Sequence, residues 1–210
     1  MSYIKSYCRI IPGRVTLNGE TYFESDSKPF VTRDFLSAVY ERQKGDYRKF
    51  YKMDVLSKLG FLSSELVLEG FDRDIAKEDM GIAMFNRSAS LEADSEYQKT
   101  IQDKDNFFPS PAEFVYTLPN IVTGELSIRN KIYGETAFYI TPEFQTDSII
   151  NIVNNMINFA GMKYVLIGWL EADIFTDTFS CLMVLCGAEP DNTLGRTESL
   201  QNIFSKGRVS

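Results

Sequence analysis

Three segments of this chain, Met80 to Phe85, Tyr164 to Trp169 and Phe179 to Cys186, carry no charged residue and show no alternation between core-facing and water-facing positions. A half-exposed strand alternates with a period of two, whereas a strand buried on both faces reads as a continuous apolar run. Such strands fold only where both faces are covered. The intervening residues supply the cover: apolar positions recur at helical spacing at Phe35, Leu36, Val39 and Tyr40, and again at Met53, Leu56, Leu59, Leu62 and Leu66. Strands too apolar to have a wet face, separated by helical segments, predict an α/β domain with helices on both sides of a mostly parallel or mixed sheet.

Local signals place the elements. Ser2 to Ile11 reads as a first strand, followed by turns at Pro12-Gly13 and Asn18-Gly19 in a loop or hairpin running toward Lys28. Thr32 is a candidate cap for a helix ending near Gly45, and Gly70 a candidate stop for the helix that begins at Asp54. Helices are expected around Leu91 to Ile101, from Ala112 to Leu118 and from Ile121 to Ile132, with a strand at Ala137 to Thr141. The helix from about Asp147 to Ala160 puts Ile149, Ile152, Val153, Met156 and Ile157 on one face and Asn151, Asn154, Asn155 and Asn158 on another. No charged side chain lies between Asp147 and Lys163, which predicts burial on nearly all sides. The alternative is a wet face that uses asparagine. After Ala188 the composition turns polar and predicts a loose tail, in which Leu200, Ile203 and Phe204 could form a short docking helix.

Composition excludes several functions. The 210 residues contain no histidine, which removes Ser-His-Asp and Cys-His chemistry and most zinc sites. Cys8, Cys181 and Cys186 cannot all pair and have no metal-binding spacing, so neither a disulfide nor a metal is expected. A net charge of −7 argues against nucleic acid as a partner. No segment has the length of a membrane span and no apolar leader is visible, so a cytoplasmic protein is expected. Arg42, Lys44, Arg48, Lys49, Lys52 and Lys58 form one basic stretch, either a solvated helix face or a docking patch for an acidic partner.

From Pro109 to Ala172 a series of short motifs occurs in order: Leu118-Pro119-Asn120, Thr123-Gly124, Ser127-Ile128-Arg129, Gly134-Glu135-Thr136, and a strand Val165 to Trp169 followed by Glu171. Upstream stand Lys52-Met53-Asp54 and Leu56-Ser57-Lys58-Leu59. Together they resemble the N-terminal half of the β-ketoacyl synthases, over about Lys49 to Gly187. The resemblance implies a thiolase-like half with a mixed, mostly parallel five-stranded sheet and helices on both faces. It also implies a ketosynthase N-terminal-like domain at 1–187 with a polar tail at 188–210.

The same comparison implies a missing nucleophile. Counted without gaps between Gly134 and Gly168, the position of the synthase cysteine falls on Glu143; a two-residue gap would bring Gln145 there. Neither can form the acyl thioester that condensation requires. The pattern is similar to chain-length-factor subunits, which lack the cysteine and pair with an active synthase in fatty-acid, polyketide or aryl-polyene-type synthesis. Such a role implies no catalytic residue and no cofactor. Its implied partners are an active ketosynthase subunit or a second copy of the chain, and an acyl carrier protein. Asn120, Thr123, Gly124, Phe138, Phe144, Gln145, Asn151 and Asn155 are then candidates for a tunnel wall or interface. Glu143 has an ordinary reading as a carboxylate in the first turn of a helix. Other readings are an acyltransferase or thioesterase using Glu143, or an acyl-binding or assembly protein.

Overall fold

The computed structural model describes residues 2–25, 31–72, 74, 76–105, 107–173, 176 and 178–205. The chain opens with a meander of three strands, β1 (Tyr3–Ile11), β2 (Arg14–Leu17) and β3 (Glu20–Glu24). Asn18 and Gly19 form the two-residue turn between β2 and β3, both with positive φ (54° and 92°), the geometry for which Asn-Gly is the preferred pair. The expected continuation to Lys28 lies outside the described residues. Next come α1 (Thr32–Arg42), a 3₁₀ turn at Arg48–Lys52, α2 (Val55–Val67) and β4 (Met80–Asn86). Then follow α3 (Leu91–Ile101), α4 (Pro111–Phe114), α5 (Ile121–Asn130), β5 (Thr136–Ile140), α6 (Thr146–Asn158), β6 (Tyr164–Asp173) and β7 (Thr178–Gly187). The short strand β8 (Gly195–Arg196) and helix α7 (Leu200–Ser205) end the described chain.

All the strands join one sheet in the order β3-β2-β1-β7-β6-β4-β5, with β8 added to β1. β6, β4 and β5 pair in parallel, while β7 runs antiparallel to both β6 and β1. The β1-β7-β6-β4-β5 portion is therefore the expected five-stranded mixed sheet, four of its strands sharing one direction. The β2–β3 hairpin, one of the two readings of the turns at Pro12-Gly13 and Asn18-Gly19, extends it beyond five, as does β8, a strand too short for the sequence to signal.

Each face of the sheet carries its own apolar core. One is built from Leu36, Leu59, Leu62, Met84, Leu126, Leu166 and Met183 beneath α1, α2 and α5. The other joins Phe85, Ile149, Val153, Met156, Ile167, Trp169 and Val184 beneath α6 and α7. Along β6 the alternation sends Leu166 and Leu170 to the α2 side and Val165, Ile167 and Trp169 to the α6 side.

The central helix is α2, not α6. Every residue of α2 except Glu65 is buried, and two of its three hydroxyls are absorbed locally: Ser63 Oγ donates to the Leu59 carbonyl (2.6 Å) and Ser64 Oγ to that of Phe61 (2.9 Å). Asp54 caps it by accepting from the Ser57 N–H (3.0 Å). Thr32, by contrast, is the first helical residue of α1 and does not cap it. In α6 only Ile149, Val153 and Met156 are buried, and Ser148, Asn151, Asn155 and Asn158 face outward in the isolated chain. Burial on nearly all sides was therefore the wrong expectation for α6; uncharged amides are wetted as readily as charged groups on a surface face. Of the asparagines at 151, 154, 155 and 158, only the Asn154 side chain meets a polar side chain among the described residues, accepting from Ser2 Oγ (3.0 Å).

Candidate functional site

A groove of about 770 Å³ lies at the C-terminal ends of β1, β4 and β6 and the start of β7, beside the loop that joins β5 to α6. Ligands of open α/β sheets bind at this end of the parallel strands, because the loops there are free to diverge. Its apolar wall is Ile11, Pro12, Pro142, Phe144, Trp169, Phe179 and Phe204; its polar rim is Arg9, Arg87, Glu143, Glu171, Thr178 and Ser180.

The loop into α6 is short and fixed. The Thr141 N–H donates to the Asn86 carbonyl (2.8 Å), tying the end of β5 to β4, and Thr141 Oγ1 donates to the Glu143 carbonyl (3.1 Å). Gln145 is the residue at the start of α6; its side chain accepts from Ser148 Oγ (3.2 Å) and its carbonyl from the Ile149 N–H (3.0 Å). Glu143 lies two residues earlier and is exposed, and the acidic residue in the first turn is Asp147. The helix-terminus role considered for Glu143 therefore belongs to Asp147. Phe144 turns inward, edge-on to Trp169 (centroids 5.8 Å apart) and stacked flat on Phe204 (3.9 Å, 5° between planes).

The groove's acid is held by main chain. The Arg87 N–H donates to Glu171 Oε1 (2.5 Å) and Ser88 Oγ to Oε2 (2.8 Å), so Glu171 fastens the β4–α3 turn to β6. Arg9 donates to the carbonyls of Ile203 and Phe204, the latter at 3.1 Å. Burial lowers its pKa from the usual arginine value.

No thiol reaches this site. Cys8 lies in β1, and Cys181 and Cys186 lie in β7, all buried. Burial pushes the Cys181 and Cys186 thiols up to about 12, and Cys8 is raised by burial and by Cys181. Cys181 Sγ donates to Ser63 Oγ (3.3 Å) within the α2 core.

The sequence-derived candidates fall on two faces of the sheet. Phe144 and Gln145 stand at the groove and the start of α6, and Asn151 and Asn155 lie along the outer face of α6. Phe138 packs on the opposite, α2-side core. Asn120, Thr123 and Gly124 form the first turn of α5 on that same side, with Thr123 Oγ1 donating to the Asn120 carbonyl (2.8 Å). Arg9 and Trp169 were not singled out from sequence, and Phe204 only as part of the short docking helix that α7 now is, not as a site residue. Trp169 could have been found as the only tryptophan, at the end of a buried run; Arg9 and Phe204 are joined to the site only by the strand order.

The basic stretch is not one open patch. Lys49 pairs with the buried Glu125 (2.7 Å), Lys58 is buried near the Phe50 ring, and Arg42 lies over Tyr22. Arg42, Lys44, Arg48, Lys49 and Lys52 are all exposed, but with Arg42 and Lys49 engaged in this way Lys44, Arg48 and Lys52 are the ones without a side-chain partner among the described residues.

No family model matches this sequence, and no curated protein matches it. Solved structures do match. The ishigamide ketosynthase/chain length factor superposes with a TM-score of 0.65 at 16% identity, over 92% of this chain and 64% of that one. The fold is that of the ketosynthases. A ketosynthase (ApeO) in complex with its chain length factor (ApeC) from Xenorhabdus doucetiae shares that ketosynthase fold, with a TM-score of 0.53 at 14% identity over 89% of this chain and 79% of that one. AntDE:AntF, a type II polyketide synthase acyl-carrier protein in complex with its ketosynthase, gives 0.58 at 13% identity over 96% and 64%. The chain thus spans about 64% of the length of two of these ketosynthase-fold proteins. Among the described residues no helix is long and apolar enough to cross a membrane, and no group of three or more His, Cys, Asp or Glu could hold a metal ion.

Proposed function

We propose that this chain is a non-catalytic, chain-length-factor-like subunit that supports an active β-ketoacyl-[acyl carrier protein] synthase in fatty-acid, polyketide or aryl-polyene-type synthesis. The observation that carries the reading is Gln145 at the start of α6, with every cysteine locked in a strand core. Condensation depends on a thiolate at a helix N-terminus, where the dipole lowers the thiol pKa and the sulfur accepts the acyl group. A carboxamide there is too weak a nucleophile to take up the acyl group and cannot form a thioester. What this chain retains is the scaffold: an apolar groove beside that helix, walled by Phe144, Trp169 and Phe179, that can hold an acyl chain out of water.

The partner surface in this account is the free edge of β5 with α6. β5 ends the sheet, and Tyr133 and Ile140 beside that edge are exposed, at 67% and 57%. An unpaired edge with apolar side chains invites a further strand. Lys44, Arg48 and Lys52 are the remaining candidates for an acidic carrier protein. The account places the protein in the cytoplasm, with 1–187 as the ketosynthase-like unit and 188–210 as a polar C-terminal tail, part of which packs back on that unit through β8 on β1 and Leu200 in the core. The acyltransferase or thioesterase reading finds no support at Glu143, whose exposed carboxylate has no hydrogen-bond partner among the described residues.

Co-expression with a ketosynthase encoded nearby tests the role. A stable complex is expected, and Ile140→Asp should abolish it without unfolding the chain. A monomer that co-purifies with no synthase, and leaves condensation unchanged when added, would overturn it.

A further inference from the structure

Lys58 buries an ammonium group without giving it an acceptor. It stands in the first turn of α2, is 8% exposed, and lines a cavity of about 400 Å³ between the N-terminal turns of α1, α2 and α3 and the short α4. Its ammonium makes no hydrogen bond and no ion pair with any described residue, and lies 5.7 Å from the centre of the Phe50 ring. The carboxylate one turn before it, Asp54, is occupied in capping the helix at the Ser57 N–H. A buried ammonium with three donors and no acceptor is costly, whereas the neutral amine carries a lone pair in place of the charge. Burial and the neighbouring Arg33 lower the Lys58 pKa, against the opposing charges of Asp54 and Glu92. Desolvation and an adjacent cation are the two conditions under which a lysine becomes a nucleophile.

We infer that Lys58 is a reversible covalent binding site for a small neutral aldehyde or ketone, which enters this cavity and condenses with Nζ to an imine. The charges around the cavity select a neutral occupant: Arg33, Lys52 and Lys58 stand against Asp54, Glu92, Glu96 and Glu113, so neither an anion nor a cation is favoured. Tyr51, Met53 and Tyr116 supply the apolar surface for its carbon skeleton. In the condensation the Nζ lone pair adds to the carbonyl carbon, and an amine proton passes to the carbonyl oxygen to give a carbinolamine. Glu92 lines the same cavity, and burial raises its pKa, so it holds a proton above the usual carboxylate range. That proton goes to the departing hydroxyl, which leaves as water, and the iminium returns a proton to the Glu92 carboxylate. One amine and one carbonyl give one imine and one water, with no change of oxidation state. The cavity shares no residue with the groove beside α6, so the two sites stand or fall separately.

The test is reductive trapping of the full, unaltered chain with benzaldehyde and cyanoborohydride at neutral pH, the adducts being mapped by peptide mass spectrometry. Lys58 should be labelled about tenfold or more faster than the exposed Lys44 and Lys104, because a hydrated surface lysine is almost wholly protonated at that pH. Its rate should level off as benzaldehyde is raised, as binding in a cavity requires, while theirs should rise in proportion. Because every lysine is read in the same folded protein, the comparison needs no variant. Labelling of Lys58 no faster than that of the exposed lysines, or labelling that goes instead to Lys52 on the cavity rim, would overturn the site. A fast Lys58 rate that never saturates would overturn it as well, since the amine would then react without the cavity binding the carbonyl compound.

Discussion

Arg129 on α5 grips Glu65 on α2 through two parallel contacts, Nε to Oε1 at 3.2 Å and Nη2 to Oε2 at 3.1 Å. The same guanidinium reaches Asp46 at 2.6 Å and lies over the rings of Tyr47 and Phe61, 5.0 and 5.6 Å from their centroids. Both side chains of the pair are only about a tenth exposed, at 12% and 11%, so the contact is screened far less than a surface ion pair. Arg129→Ala should cost about 2 to 3 kcal/mol in urea denaturation, because it takes the paired guanidinium away from a largely buried carboxylate and from the two rings beneath it. Arg129→Lys should recover less than half of that, since an ammonium cannot make the fork or the stacking contact.

Two glycines of the ketosynthase-like motifs should respond oppositely to alanine. A Cβ on Gly134 would stand 2.3 Å from the carbonyl oxygen of Met80 and 2.6 Å from Met162 Sδ. Met80 is paired in the ladder with Tyr164 and cannot retreat, so Gly134→Ala should destabilise the protein by about 3 kcal/mol. A Cβ on Gly124 meets nothing within 4 Å inside α5. Gly124→Ala should therefore raise stability by about 0.5 to 1 kcal/mol, read as a shift in the urea midpoint.

The carboxylates around the start of α2 predict a pH dependence. Burial raises the Glu92 pKa above its ordinary 4.5, with the charges of Asp54 and Glu96 adding to the shift, and burial likewise raises Asp54. A carboxyl that binds its proton more tightly folded than unfolded favours the native state at low pH. That advantage is lost as pH rises from the unfolded value through the folded one. Stability should thus fall over the window starting near pH 4.5 and extending upward. Glu92→Gln, which keeps an acceptor for the Val55 N–H, should make that fall shallower in urea midpoints measured across pH 4 to 7.

The thiols should behave as core atoms. With Cys181 and Cys186 pushed up to about 12 and Cys8 raised as well, a thiol-disulfide reagent at pH 8 should label none rapidly in the native protein and three after denaturation. One fast-reacting native thiol would show an activated cysteine that the fold does not supply.

Much of this architecture was legible in the sequence where one local pattern decides the outcome. Met80 to Phe85 and Phe179 to Cys186 are strands because no other short element tolerates uncharged runs of that length between turns, and the motifs around Gly134 fix the entry to α6. The central position of α2 was not legible, because Ser57, Lys58, Ser63 and Ser64 look like a wet face, whereas Ser63 and Ser64 turn their hydroxyls onto the helix backbone and Lys58 lies over the Phe50 ring. In α6 the reverse error arises from asparagines whose partner is solvent. The groove was half legible: Glu143, on which the ungapped motif count falls, and Phe144 line it, and Gln145, which the count reaches only with a two-residue gap, begins α6, whereas Arg9 and Phe204 come together across a sequence separation of almost the whole chain.

The central claim, that this ketosynthase-fold chain carries no acyl group itself, is tested most directly by intact-protein mass spectrometry. The chain and its co-purified synthase would be incubated with an acyl carrier protein thioester and resolved by mass. The account predicts the acyl mass on the synthase and none on this chain. An acyl adduct on this chain, mapped to Glu143 or to any cysteine, would contradict it.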